Sequence, residues 1–302
     1  MKLAIWTNSE DATVNYVCSK KPDWVEIIRF NSDEFFPLNV SKTYSTNLKN
    51  NNIDIIWHRR PFENAVIPDN MQEKILFSEK EEALWNLLLQ IPKEKWINFP
   101  TNNWLADKKI LQLVNANKCG LETPDWILTN NFQIAESFLN SHDWGCIIKP
   151  VNCGYFFHEN NVYHIYTNDT DKNKIDLNSI SNCPTYFQSK ITKSYDVRTI
   201  YINGKTLFIG LYGGGLDVRR NEMKGITYKL VEPPSNVIIG YEKLMQLSNL
   251  RFCTSDFLVT TDDNWVFLEN NANGQWVWMD EYLNGKIIDF FYNNIGVQHG
   301  IH

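Results

Sequence analysis

Short apolar runs set among polar, asparagine-rich stretches open the chain. Lys2–Trp6, Val25–Phe30 and Ile53–Trp57 are rich in β-branched residues and bounded by polar ones, which predicts three buried strands of an α/β unit. The period then changes. Ala83, Leu84, Leu87 and Leu88 make a helical stripe behind Ser78-Glu79-Lys80-Glu81, whose spacing is that of a capping box, and this helix is expected to stop near Pro92. Trp96–Pro100 and Asn102-Asn103 read as a linker into a second helix, Trp104–Lys118, closed by Gly120. Strands at Thr123–Thr129 and Trp144–Pro150 flank a short helix, Ile134–Leu139. Asp196–Ile202 is a strand that turns at Asn203-Gly204, a strong hairpin signal. A second hairpin follows, with Phe257–Val259 and Trp265–Leu268 on either side of Asp262-Asp263-Asn264.

Composition narrows the class. At 302 residues the chain exceeds the usual single domain, and 43% hydrophobic and 14% aromatic residues exclude disorder. The net charge of −6 comes without a Lys/Arg block, so neither nucleic acid nor an anionic membrane is an expected partner. Met1–Glu10 lacks the apolar core of a signal peptide, and no later run approaches a membrane span. The six cysteines include no C-x-x-C pair, and Cys146 and Cys153 have no histidine at zinc spacing. Reduced thiols in a cytoplasmic protein are the expectation.

The candidate chemistry gathers at the second hairpin. Asp256 precedes its first strand, Glu269 closes the second, and Asn271 follows two residues on, where alternation returns it to the face of Glu269 if the chain stays extended. Two carboxylates and an amide carbonyl form a hard oxygen set suited to Mg²⁺. The residues alone also admit a surface hairpin with a solvated acidic end. Lys149 ends an apolar strand at Pro150, and Asp196 and Arg198 share a face of theirs. The pair Arg59-Arg60 before Pro61 is either an anion site or a solvated strand end, with the solvated end favoured.

The pattern Asp256…Glu269-x-Asn271 resembles the metal element of ATP-grasp ligases. Asn273-Gly274-Gln275-Trp276 is similar to a segment of the graspetide ligases, the microviridin-type peptide macrocyclases, with Ala272 where that family usually has proline. Trp57-His58-Arg59-Arg60-Pro61, the stretch from Ala106 to Asn130 and Asp217-Val218-Arg219-Arg220 resemble that family too. The resemblance implies an ATP-grasp fold of α/β lobes: an N-terminal pre-ATP-grasp domain at 1–100, a central lobe at 101–188 and a C-terminal lobe at 189–302. It implies ATP and Mg²⁺ as cofactors. Asp256, Glu269 and Asn271 would hold the metal, and Lys108 and Lys149 the phosphates, with Lys109 the competing choice beside Lys108. Gly154 would sit in the phosphate-covering loop, Gln188, Lys190 and Ile191 at the adenine edge, and Asp196 at the ribose. Ser189 stands where the family has glutamate, which weakens the adenine amino contact. Arg198, Arg219 and Arg220 would be catalytic. The implied activity joins Asp/Glu side chains of a ribosomally made precursor peptide, with leader and core, to Thr/Ser hydroxyls or Lys amines. A homodimer is expected. The alternatives are an ATP-grasp ligase acting on a free amino acid and a catalytically silent ATP- or peptide-binding module.

Overall fold

Leu3, Ala4, Ile5 and Trp6 are wholly buried, as a strand flanked at both edges and covered on both faces must be. They form β1 (Lys2–Thr7), the centre of a parallel sheet between β2 (Glu26–Asn31) and β3 (Ile55–His58). The structure, a computed structural model, describes residues 1–34, 52–61, 70–142, 145–151, 155–158, 161–164, 167–170, 175, 177–213 and 225–296. Between β1 and β2 runs α1 (Ala12–Ser19), whose first turn is capped by the Asp11 carboxylate.

The next helix, α2 (Met71–Leu88), starts a full two turns before the capping box at Ser78. Asn70 is its cap, accepting the Glu73 N–H at 2.8 Å. Only Leu84, Leu87 and Leu88 on this helix are buried, while Met71, Ile75 and Leu76 in its first half are exposed, so the core-facing stripe marks only the second half. The single helix expected from Trp104 to Lys118 is two, α3 (Pro100–Ala106) and α4 (Lys109–Lys118). Lys108 between them is extended, with ψ at 96°. Proline at the first position of α3 supplies a preset φ where no N–H is needed.

β4 (Trp126–Thr129), α5 (Phe132–Asn140), β5 (Cys146–Lys149), the hairpin β6 (Tyr155–His158) and β7 (Asn161–His164), β8 (Asn168–Thr170) and β9 (Thr185–Ser189) follow. The order β4-β9-β5-β8 makes an antiparallel sheet of four strands, and α5 packs Ala135 and Leu139 into its small core. The last sheet has order β12-β11-β10-β13-β14, from β10 (Lys193–Ile202), β11 (Lys205–Tyr212), β12 (Thr227–Leu230), β13 (Phe252–Thr260) and β14 (Trp265–Asn271). α6 (Ser235–Leu247), α7 (Val277–Asp280) and α8 (Lys286–Ile295) complete the chain. The Asn203-Gly204 turn is formed as the sequence indicates, with φ of 46° and 83°.

The two faces of the five-stranded sheet are used differently. Val197, Tyr201, Cys253, Phe257 and Phe267 pack with α4 and α6. On the other face Ile200, Ile202 and Phe252 join Leu3, Ile5, Trp57, Trp276 and Phe291 in a core shared with the N-terminal sheet. That second face is apolar at one end and charged at the other, where Asp196, Arg198 and Asp256 lie. Among the described residues no helix is long and apolar enough to cross a membrane.

Candidate functional site

Three residues stand in a row across three neighbouring strands: Arg198 on β10 pairs with Asp256 on β13, and Asp256 with Glu269 on β14. Residues directly opposite on antiparallel strands share a face, so all three point into one cleft. A bulge makes this possible for Glu269. Asp256 pairs with Glu269 but Phe257 with Phe267, leaving Leu268 as an extra residue on β14. Without the bulge, alternation would put Glu269 on the buried face of Phe267; with it, Glu269 and Asn271 face the cleft.

The row is tied together by charge. Arg198 Nη1 donates to both oxygens of Asp256, at 2.7 and 2.6 Å, and Nη2 donates to the Gln275 carbonyl at 3.2 Å. Asn271 Nδ2 donates to Asp256 Oδ2 at 3.3 Å. The side chains of Asp256 and Glu269 stay 30% and 33% exposed, so both carboxyls remain open to a ligand from the cleft side. Burial by the protein walls raises the Asp256 carboxyl above the usual carboxylate range, with the negative Glu269 adding to it against Arg198. Burial acts upward on Glu269 as well, but Lys109, Lys149, Arg198 and the Asn271 amide outweigh it and hold that carboxyl below its ordinary value.

The lysines divide. Lys109 Nζ lies 3.9 Å from Glu269 Oε2 and donates to the Pro150 carbonyl at 2.8 Å, bridging α4 to the end of β5. Lys108 points elsewhere, its ammonium 4.3 Å from the centre of the Trp104 ring. The break between α3 and α4 is what separates these neighbours. Lys149 acts electrostatically on Glu269, Asp256 and Asp196 alike, so it belongs to the same cleft. Asp196 is ion-paired with Lys193. Gln188 is buried, its Oε1 accepting from the Tyr186 hydroxyl at 3.1 Å. Lys190 gives its backbone N–H to Gly145 O at 3.1 Å and its ammonium to Asp169 at 2.9 Å. The Ile191 N–H has no partner among the described residues. Gly154, Arg219 and Arg220 lie outside the described residues.

The basic pair after β3 is not a solvated strand end. Arg59 is 1% exposed. Its Nε meets Asp11 Oδ2 at 3.3 Å, and its Nη1 donates to the carbonyls of Asn273 and Gly274 at 2.9 and 3.1 Å. Arg60 Nε donates to the same Asn273 carbonyl at 2.9 Å. The two segments singled out in the sequence are thus one contact, with arginines of the N-terminal sheet holding the turn that supports Arg198. Gly274 is required by the closeness of that turn. A methyl group there would overlap Thr254 Oγ1 and come within 2.9 Å of Arg198 Nη2.

The donor set fits Mg²⁺. Among the described residues no group of three or more His, Cys, Asp or Glu side chains gathers to hold a metal by protein ligands alone. Two carboxylates and one amide, which can turn its oxygen toward a partner, match an ion that keeps several waters and shares phosphate oxygens.

No protein-family model and no curated protein sequence matches the chain. Solved structures do. Macrocyclase MdnC bound with precursor peptide MdnA, from Microcystis aeruginosa MRC, superposes with a TM-score of 0.78 at 19% identity, covering 97% of this chain and 100% of that one. A Chryseobacterium gregarium RiPP-associated ATP-grasp ligase, in complex with ADP and a leader and core peptide, gives 0.79 at 20%, covering 97% and 96%. D-alanine–D-alanine ligase from Bacillus anthracis, complexed with ATP, gives 0.57 at 16%, covering 98% and 97%. The chain therefore has the α/β ATP-grasp ligase fold, with the N-terminal α/β unit that the sequence led us to expect.

Proposed function

We propose that the protein is an ATP-dependent peptide macrocyclase that activates Asp or Glu side chains of a ribosomally made precursor as acyl phosphates and joins them to Thr/Ser hydroxyls or Lys amines. The observation that carries this reading is the row Arg198–Asp256–Glu269, faced by Lys109 and Lys149, on a fold whose similar solved proteins are described as a macrocyclase bound with its precursor and a ligase holding ADP with leader and core peptides. The strands of the three large sheets fall in turn within the proposed lobes 1–100, 101–188 and 189–302, apart from Ser189 at the end of β9. The reaction is placed in the cytoplasm, where ATP, Mg²⁺ and newly made peptides meet.

In this reading Asp256, Glu269 and Asn271 would hold Mg²⁺, which when bound supplies positive charge against the negative charge of the phosphates. Lys109 and Lys149 bind phosphate from α4 and β5, and the Ile191 N–H meets the adenine edge. A peptide carboxylate oxygen attacks the γ-phosphorus, the bond to the β,γ-bridging oxygen breaks, and ADP departs. The acceptor hydroxyl or amine then attacks the acyl carbon, loses its proton, and inorganic phosphate leaves with the former bonding pair. Arg198, fixed by Asp256 and the Gln275 carbonyl, presents a permanent positive charge to the acyl phosphate oxygens. Nothing here needs a protein nucleophile; positioning and charge supply the rate.

The test is incubation with ATP, Mg²⁺ and a short peptide, rich in Thr and Glu/Asp, encoded beside this protein's own gene. Loss of one water per ring from the peptide mass, with one ADP formed for each, is the expected result. ADP formed only with a free amino acid and a small acceptor would make the protein an amino-acid ligase instead, and no ADP with any acceptor a silent binding module.

A further inference from the structure

β14 is an edge strand, and an edge strand ordinarily gives its outward N–H and C=O groups to water. At two places the protein covers this edge instead: Phe267 gives its N–H to the Glu122 carbonyl at 2.8 Å, and at the cleft end a side chain does the same work. Asn270, 3% exposed and lying between Glu269 and Asn271, receives Gln112 Oε1 on its N–H at 2.8 Å and gives its carbonyl to Gln112 Nε2 at 3.0 Å. A side-chain amide carries one donor side and one acceptor side, as a peptide group does. Gln112 therefore stands in for a neighbouring strand at Asn270, beside the metal-facing end of β14, and its Nε2 also reaches the Ala106 carbonyl at the end of α3.

The other side of Asn270 is equally committed. Its Oδ1 accepts from Ser255 Oγ at 2.7 Å, and Ser255 Oγ is 2.6 Å from the Tyr241 hydroxyl, which is 2.8 Å from Thr199 Oγ1. Thr199, Ser255 and Asn270 are the immediate neighbours of Arg198, Asp256 and Glu269, so each inward-facing member of this chain has a cleft-facing residue beside it. Gln112 lies one helical turn beyond Lys109, which faces Glu269. The amide thus joins the helix that carries a phosphate-facing lysine to the strand that carries two metal-facing oxygens.

Resting on the nucleotide and metal reading above, we propose that Gln112 is a positioning residue that fixes α4 against β14, so that Lys109, Glu269 and Asn271 meet the nucleotide phosphates and Mg²⁺ as one unit. Its signature is the coupling between Mg²⁺ and nucleotide, the ratio of affinities for a non-hydrolysable ATP analogue with and without Mg²⁺. Gln112→Met keeps the volume and removes both bonds to Asn270. The coupling ratio in this variant should fall by about tenfold or more, the range seen when groups that orient metal ligands are removed. Affinity without Mg²⁺ should stay within about twofold of the parent, since Lys109 is also held by the Pro150 carbonyl and the bonds lost are those that place the metal strand.

Titration calorimetry reads both affinities, and a melting curve establishes that the variant is folded. A folded Gln112→Met with unchanged coupling overturns the inference, as does an equal loss of affinity with and without Mg²⁺, which marks a general structural role. If that variant does not fold, Gln112→Glu, which keeps the acceptor for the Asn270 N–H, decides by the same ratio: a reduced ratio supports the inference and an unchanged one ends it. Failure of the unsubstituted protein to bind nucleotide brings down the parent reading and this inference together. Normal Mg²⁺-dependent binding there, with unaltered coupling in the variants, brings down this inference alone.

Discussion

Glu269 collects more positive charge than any other carboxylate of the cleft, from Lys109, Lys149 and Arg198, and is held below its ordinary value of 4.5 although burial alone would raise it. A carboxylate whose folded pKa is depressed adds stability above its unfolded pKa, and that stability is lost as pH falls through the folded value. Because the side chain is 33% exposed, solvent screens the effect and the contribution is small. Glu269→Gln should therefore melt slightly below the parent at neutral pH, and the gap should close in acid below the ordinary glutamate range. The same change should lower Mg²⁺-dependent ADP formation by about a hundredfold or more, because charge stabilisation by the ion is worth several kcal/mol. A gap that persists unchanged in acid would mean packing, not charge, is what glutamine loses. The row of acid and amide side chains was legible in the sequence because both acids and the amide lie on one hairpin, although the bulge that turns Glu269 to the cleft was not. The choice between Lys108 and Lys109 was not, since neighbours on one continuous helix differ by only 100° and nothing local announces the break at Lys108 that turns them apart.

At the scale of elements, the hairpin β13–β14 works through two irregularities. The extra residue Leu268 turns Glu269 from the core face to the cleft face. Gly274 lets the following turn lie against Thr254 and Arg198. Gly274→Ala should destabilise the protein by about 1–3 kcal/mol, the usual cost of forcing atoms into a filled space. It should also lower turnover, because Arg198 Nη2 is one of the atoms displaced. Urea unfolding beside an ADP assay measures both, and a variant of parental stability would show that the turn can move aside. The glycine was visible in the sequence as part of a recognisable segment. Its reason was not, because the atoms that exclude a side chain come from residues 254 and 198.

Over the whole molecule, the N-terminal sheet and the C-terminal sheet share one core, and Arg59 is its buried tie. Removing one partner of a buried ion pair leaves the other charge uncompensated. Arg59→Met should thus cost about 3–5 kcal/mol, and should depress activity by loosening the Asn273–Gln275 turn behind Arg198. Since the core is continuous across the two sheets, denaturant should unfold them together, and separate transitions for the two in the unsubstituted protein would contradict that continuity. The sequence by itself determined the class of fold, most of the strands, both hairpin turns and the acid–amide set, because each rests on local periodicity, turn chemistry or a short recognisable segment. Only the tertiary structure decided that Arg59 is a tie and not a surface charge, that Lys109 is the lysine facing Glu269, and that Gln112 completes an edge strand. Those outcomes depend on partners more than 150 residues away in the chain, as with Gln112 and Asn270 at a separation of 158, and on a bulge whose position is set by the packing of both faces of a sheet.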